Sequence, residues 1–261
     1  MRGNRRRHVA RAALAALLAT AGGCHTVLGP PPLEENWRMH PGPRVTFFVR
    51  PDSFAEQNVA RLSEVIEDQY SSTVRALGLS YAGHVSAYVY NSGAETDLGG
   101  DHAGRAYPET ESFRFVAVPP ANGNLFSLMS HEANHVFVIN GLGRAGTYGM
   151  TEGLASALVS ETFHTSGRHF LFMWTRTQRA QVLPLARVYD NDQWKDLTPQ
   201  SAYNTSASFL AWMLDTYGAD RLRQIYGAPS DEFAARVNAV YGRALESLET
   251  DWLRFCDAWV G

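Results

Sequence analysis

The chain has 261 residues, with 23 Lys and Arg against 26 Asp and Glu, a formal net charge of −3, 45% hydrophobic residues and two cysteines. Two cysteines build no disulfide framework, and a slightly acidic balance argues against a nucleic-acid-binding chain. The length suits one large domain or two lobes sharing a cleft.

In chain order, Arg2, Arg5, Arg6, Arg7 and Arg11 precede an apolar run over residues 12–21. A charged stretch followed by a short apolar one is the pattern of a secretory signal, and the run is too short for a membrane-spanning helix. It closes with Ala19-Thr20-Ala21-Gly22-Gly23-Cys24, which resembles a bacterial lipoprotein lipobox, with Ala21 at the usual Leu site. That resemblance implies a signal over residues 1–23, membrane attachment through a lipidated Cys24 and an extracytoplasmic place on a bacterial membrane. An ordinary signal cleaved nearby is the alternative. Cleavage before Cys24 removes five arginines, so Lys plus Arg falls from 23 to 18 against 26 acidic residues and the net charge moves from −3 to −8. An acidic mature chain again argues against a nucleic-acid partner. Lipid on Cys24 and burial of Cys256 are favoured over a disulfide between them.

Residues 24–43 contain Gly29-Pro30-Pro31-Pro32 and read as an extended, poorly ordered tether. The domain proper is expected over residues 44–261. Its first part, 44–122, reads as α/β: a strand at 45–49, an amphipathic helix at 53–76, a second strand at 85–90 and a third at 113–118. Residues 91–110 read as a loop near the cleft. Asp101-His102 there has no second ligand at useful spacing and reads as solvated.

The chemistry lies further on, in Ser130-His131-Glu132-Ala133-Asn134-His135. Residues four apart share a helix face, so His131 and His135 aim two imidazoles at one point. Zinc accepts neutral imidazole and carboxylate in a tetrahedral shell, and a catalytic site keeps one position open for water. Glu132 is placed to take a proton from that water as general base. Leu125, Leu128, Met129, Val136 and Ile139 recur at helix spacing, Asn122 or Asn124 can cap the start, and Asn140-Gly141 closes the run. Glu152 follows His135 by 17 residues across a turn holding Gly141, Gly143, Gly146 and Gly149. Thr151 reads as the cap of a second helix over residues 152–162, which brings Glu152 opposite the histidines as third ligand. A salt-bridged Glu152 with solvated histidines is the structural alternative.

The pairing of His131-Glu132-x-x-His135 with Gly149-Met150-Thr151-Glu152-Gly153-Leu154-Ala155 resembles the gluzincin zinc metallopeptidases, with Gly149 where the family carries Trp. Ala202-Tyr203-Asn204-Thr205-Ser206-Ala207-Ser208-Phe209-Leu210, Trp212-Met213-Leu214, Tyr217-Gly218 and the closing segment Leu245-Glu246-Ser247-Leu248-Glu249-Thr250-Asp251-Trp252 resemble bacterial peptidase-MA-like domains. The likeness runs from residue 124 to the C-terminal end. It implies a zincin-like α+β fold, with a small mixed-sheet lobe, an all-helical lobe over 123–261 and the active-site helix between them. It implies Zn²⁺ on His131, His135 and Glu152, and a peptide or protein substrate. It makes Tyr203 a candidate to hydrogen-bond the oxyanion, with His164 and His169 as rivals. Ser156, one turn after Glu152, stands where relatives orient a metal-bound histidine. Helices are expected at 202–216, 219–226, 231–241 and 244–258. The strand at 113–118 is expected to pair with an extended substrate at its edge. The competing expectations are a zincin-like module that binds a peptide or cell-envelope partner without turnover, and a zinc amidase on the same scaffold.

Overall fold

The structure, a computed structural model, describes residues 36–96, 103–119, 123–160 and 167–260. The signal, Cys24, most of the tether, Asp101, His102, Asn122 and His164 lie outside them. The stretch expected as tether already enters the fold at β1, Arg38–Pro41, which pairs antiparallel with β2, Val45–Val49. In β2, Val45, Phe47 and Val49 are fully buried while Thr46 and Phe48 point to the other face, the two-residue period of a pleat. Ser53 caps the short α1, Phe54–Gln57, by accepting from the Glu56 amide, and α2 follows as Val59–Leu77. The single helix expected over 53–76 is therefore split at Asn58, whose side-chain amide donates to the Phe54 carbonyl at 2.8 Å.

β3, Val85–Tyr90, runs parallel to β2, β4 spans Gly104–Tyr107, and β5, Ser112–Val116, runs parallel to β3. The order is β1-β2-β3-β5-β4, so both outer strands are antiparallel to their neighbours. Two expectations change here. Part of the expected loop at 91–110 is the edge strand β4. The strand expected to offer an edge to substrate is flanked on both sides, by β3 and β4.

The remainder is helical among the described residues: α3, Gly123–Leu142; α4, Tyr148–Ala157; α5, Arg168–Thr177; the single turns α6, Leu185–Val188, and α7, Asn191–Trp194; then α8, Pro199–Tyr217; α9, Ala219–Tyr226; α10, Phe233–Tyr241; and α11, Leu245–Ala258. Asn124 sits inside α3 rather than capping it. Thr147, not Thr151, caps α4: its hydroxyl accepts from the Met150 amide at 3.0 Å, and Thr151 donates back to the Thr147 carbonyl. No described helix is long and apolar enough to cross a membrane. Cys256 is a free, buried thiol, pushed up to about 11 by burial.

One apolar cluster lies between the sheet, α2 and α3, joining Val45, Phe47, Val85, Val89 and Phe113 to Leu62, Ile66, Met129 and Phe137. The other lies among the helices around α8, joining Met150, Leu154, Phe209, Met213 and Trp252. α3 borders both, through Phe137 on one side and Val138 on the other. A buried polar net ties it down further. The Asn134 side-chain oxygen accepts from Gln69 at 2.9 Å and from Thr73 at 2.7 Å, and its amide donates to the Ala155 carbonyl at 2.8 Å. Gln69 also donates to the Leu158 carbonyl and accepts from the Ser160 amide, so α2, α3 and the end of α4 share one set of satisfied bonds.

Two glycines let α4 come close to its neighbours. A Cβ on Gly149 would stand 2.4 Å from the Val188 carbonyl oxygen, so no larger side chain has room there. A Cβ on Gly153 would stand 2.1 Å from Ser206 Oγ and 3.0 Å from its backbone carbon, while that hydroxyl is itself engaged with the Gly149 carbonyl at 2.5 Å and Tyr189 at 3.1 Å. Gly to Ala inside a helix ordinarily stabilises by about 0.5–1 kcal/mol. Here the overpacking cost of roughly 1–3 kcal/mol prevails, so Gly153→Ala is expected to lower the urea midpoint and Ser206→Gly to recover part of the loss.

Candidate metal centre

α3 is buried on almost every side, and His131 and His135 are the partly open positions in its middle, one turn apart. α4 crosses beside them with Glu152 facing inward. His131 Nε2 lies 3.0 Å from His135 Nε2, and Glu152 Oε2 lies 3.2 Å from the first and 3.3 Å from the second. Ligand atoms on a tetrahedral zinc at 2.0–2.1 Å stand about 3.3 Å apart, so this triangle fits one cation. Among the described residues, these three are the group of His, Cys, Asp and Glu whose donor atoms converge enough to hold a metal.

The electrostatics agree with a cation-shaped site. Burial raises the Glu152 carboxyl, but the charge of His135 and the hydrogen bonds from His131 and His135 outweigh it and hold that group below the usual carboxylate range. His131 Nε2 and His135 Nε2 both face the Glu152 carboxylate, and a cation among the three would take the lone pair of each ring. On the far side of its ring, His131 Nδ1 lies 3.0 Å from Ser156 Oγ. With the hydroxyl accepting from Nδ1–H, the lone pair of Nε2 is left to the metal. Glu152 and Ser156, one turn apart on α4, thus engage both nitrogens of one imidazole.

The Glu132 side chain lies against β4 at Gly104. A Cβ on Gly104 would come within 2.7 Å of Glu132 Cγ, so glycine is what allows the edge strand to pass this close. The Ala106 amide donates to the Glu132 carboxylate. Burial pushes the Glu132 carboxyl up to about 7, with Glu152 raising it and His131 and Arg105 lowering it. A buried carboxylate within electrostatic reach of the three converging donors suits general base work.

Tyr203, on the second turn of α8, has its ring centroid 6.1 Å from that of His131 and 5.9 Å from that of Trp194. His169 is exposed on α5 and is not part of the converging group. The sequence reading passed over Gly104 and Ala106, which hold Glu132, and Gln69 and Thr73, which anchor Asn134. A glycine at the start of an unrecognised strand and a glutamine on an amphipathic helix give no local signal.

No protein-family model matches the chain, and no curated protein matches it. Among solved structures, it is similar to a native yeast LTA4 hydrolase, at 14% identity and a TM-score of 0.47 over 86% of this chain and 39% of that one. An aminopeptidase N family protein from Idiomarina loihiensis is 14% identical, with a TM-score of 0.42 over 84% of this chain and 41% of that one. The native leukotriene A4 hydrolase from Saccharomyces cerevisiae is 15% identical, with a TM-score of 0.41 over 84% of this chain and 36% of that one. The chain spans about two fifths of the length of these proteins.

Proposed function

We propose that this chain is a zinc-dependent hydrolase that cleaves peptide bonds, a metallopeptidase of the gluzincin kind. The observation that carries this is the donor triangle of His131, His135 and Glu152, with edges of 3.0, 3.2 and 3.3 Å, beside a buried carboxylate that is not part of it. His131, His135 and Glu152 would hold the zinc ion, which would supply Lewis acidity toward water and the substrate carbonyl. Glu132 takes the proton of the attacking water and delivers it to the leaving amine, and the Ala106 amide holds its carboxylate in place. Ser156 keeps His131 in one tautomer, and the Tyr203 hydroxyl donates to the oxyanion that forms on the scissile carbonyl.

The edge for an extended substrate belongs to β4 rather than β5. β4 ends the sheet and carries Gly104 against Glu132, so a peptide paired along it runs past the general base. The purified protein is expected to hold about one zinc per chain by elemental analysis, to lose peptide hydrolysis on chelation and to regain it on adding zinc. Full activity in metal-free protein overturns the reading.

The place of this chemistry is a second part of the proposal. The run from Arg2 to Cys24 supports an extracytoplasmic protein anchored to a bacterial membrane by lipid on Cys24. Cys24→Ser is then expected to shift the protein from the membrane to the soluble fraction on cell fractionation. An unchanged distribution points instead to an ordinary cleaved signal or another anchor.

A further inference from the structure

A small pocket opens between α7 and the start of α8, lined by Trp194, Lys195, Leu197, Pro199, Ala202 and Tyr203, with a volume of about 140 Å³. It shares the Tyr203 ring with the metal centre, since that ring has Trp194 on one side at 5.9 Å and His131 on another at 6.1 Å. Trp194 is in turn stacked on Tyr148 at 6.5 Å, so aromatic contacts fix the wall from both sides. Leu197 and Ala202 are buried and make an apolar floor.

We infer that this pocket selects the substrate: it takes one benzene-sized apolar side chain, phenylalanine foremost, from a residue beside the scissile bond. The inference rests on the peptidase reading above. Its size argument is one of volume, because a cavity of about 150 Å³ holds one benzene ring, and Leu197, Pro199 and Ala202 give this pocket an apolar side beside the polar ends of Lys195 and Tyr203. Its polarity argument concerns charge. No carboxylate is among the lining residues, and the Lys195 ammonium stands at the rim, 3.6 Å from an Asp192 side chain that is 98% exposed. A lysine or arginine side chain entering there loses its water without gaining a counter-ion, so the pocket rejects it.

The test is hydrolysis of end-blocked peptides that carry Phe, Leu, Gly or Lys at the positions flanking the scissile bond, by the zinc-loaded wild type, Ala202→Leu, Trp194→Ala and Lys195→Glu. The wild type is expected to prefer Phe over Gly on one side by on the order of 10²-fold in kcat/KM. Ala202→Leu fills the pocket and shrinks that ratio to a few-fold. Trp194→Ala, which carries less risk to the fold, opens the wall and lowers the ratio while admitting Trp. Lys195→Glu raises cleavage at Lys relative to Phe by about tenfold, a charge reversal at a rim. Peptide hydrolysis with no apolar preference on either side, or an unaltered ratio in both pocket variants, overturns the inference. A protein that cleaves no peptide sinks the peptidase reading instead. Calorimetric titration with N-acetyl-phenylalanine amide and N-acetyl-glycine amide then decides the pocket. Binding of the first alone, lost in Ala202→Leu, supports it, and equal binding or none overturns it.

Discussion

Replacing Glu132 by Gln is expected to leave zinc bound at wild-type stoichiometry and to lower kcat by about 10²–10⁴-fold, the range that positioned general bases contribute. The amide is nearly the shape of the carboxylate, and its oxygen can still accept from the Ala106 amide, so the packing under Gly104 survives. What disappears is the ability to accept a proton. Because Glu132 lies outside the donor triangle, metal content and activity separate in this variant. Retained turnover would remove Glu132 as base, and joint loss of zinc and activity would recast it as a ligand.

The second large effect is expected at Glu152. Its oxygen closes two of the three edges of the triangle, so Glu152→Ala leaves two imidazoles and weakens zinc binding by more than the roughly 10–100-fold that loss of an outer partner costs. Ser156→Ala is expected to fall within that outer range, because the hydroxyl only orients His131. Thermal unfolding with and without zinc distinguishes the two. A metal at 100 times its dissociation constant stabilises by about 2.7 kcal/mol, an increment that should vanish in Glu152→Ala and persist at higher zinc in Ser156→Ala. Alanine is also the better helix former, so the metal-free Glu152 variant is not expected to unfold for lack of propensity in α4. Equal zinc-induced stabilisation in wild type and Glu152→Ala would strip that carboxylate of its role.

Where a local rule and the tertiary environment agreed, the fold was legible in the sequence. The alternation of Val45, Phe47 and Val49 marks β2, the run at β3 falls at 85–90 and α9 at 219–226 as expected, and His131 and His135 share one face of α3 because four residues make about one turn. The misreadings have identifiable causes. The glycines at 141, 143, 146 and 149 read as one turn that ends at Thr151, whereas α4 starts at Tyr148 and includes Gly149. The helix tolerates Gly149 and Gly153 because the Val188 carbonyl and Ser206 approach them. β4 offers four residues with one glycine and no alternation, too little for a periodic signal, and is held by pairing with β5. β1 followed a proline cluster that spoke for a tether. α5, Arg168–Thr177, has no counterpart among the expected helices. Of the candidate site, the convergence of His131, His135 and Glu152 was readable from spacing. The backbone that steadies Glu132 and the net that anchors Asn134 depend on distant segments meeting.

The placement of α3 between the two apolar clusters bears on how this molecule comes apart. A helix that forms a wall of both cores, and whose Asn134 is bonded into α2 and α4, cannot swing out or fray by itself. The amide hydrogens of its central turns should trade with solvent only through whole-chain opening, at the slow limit of the molecule. Proteases would then disturb the two imidazoles only after that opening, and a shortened piece lacking either core would lose the convergence of His131, His135 and Glu152.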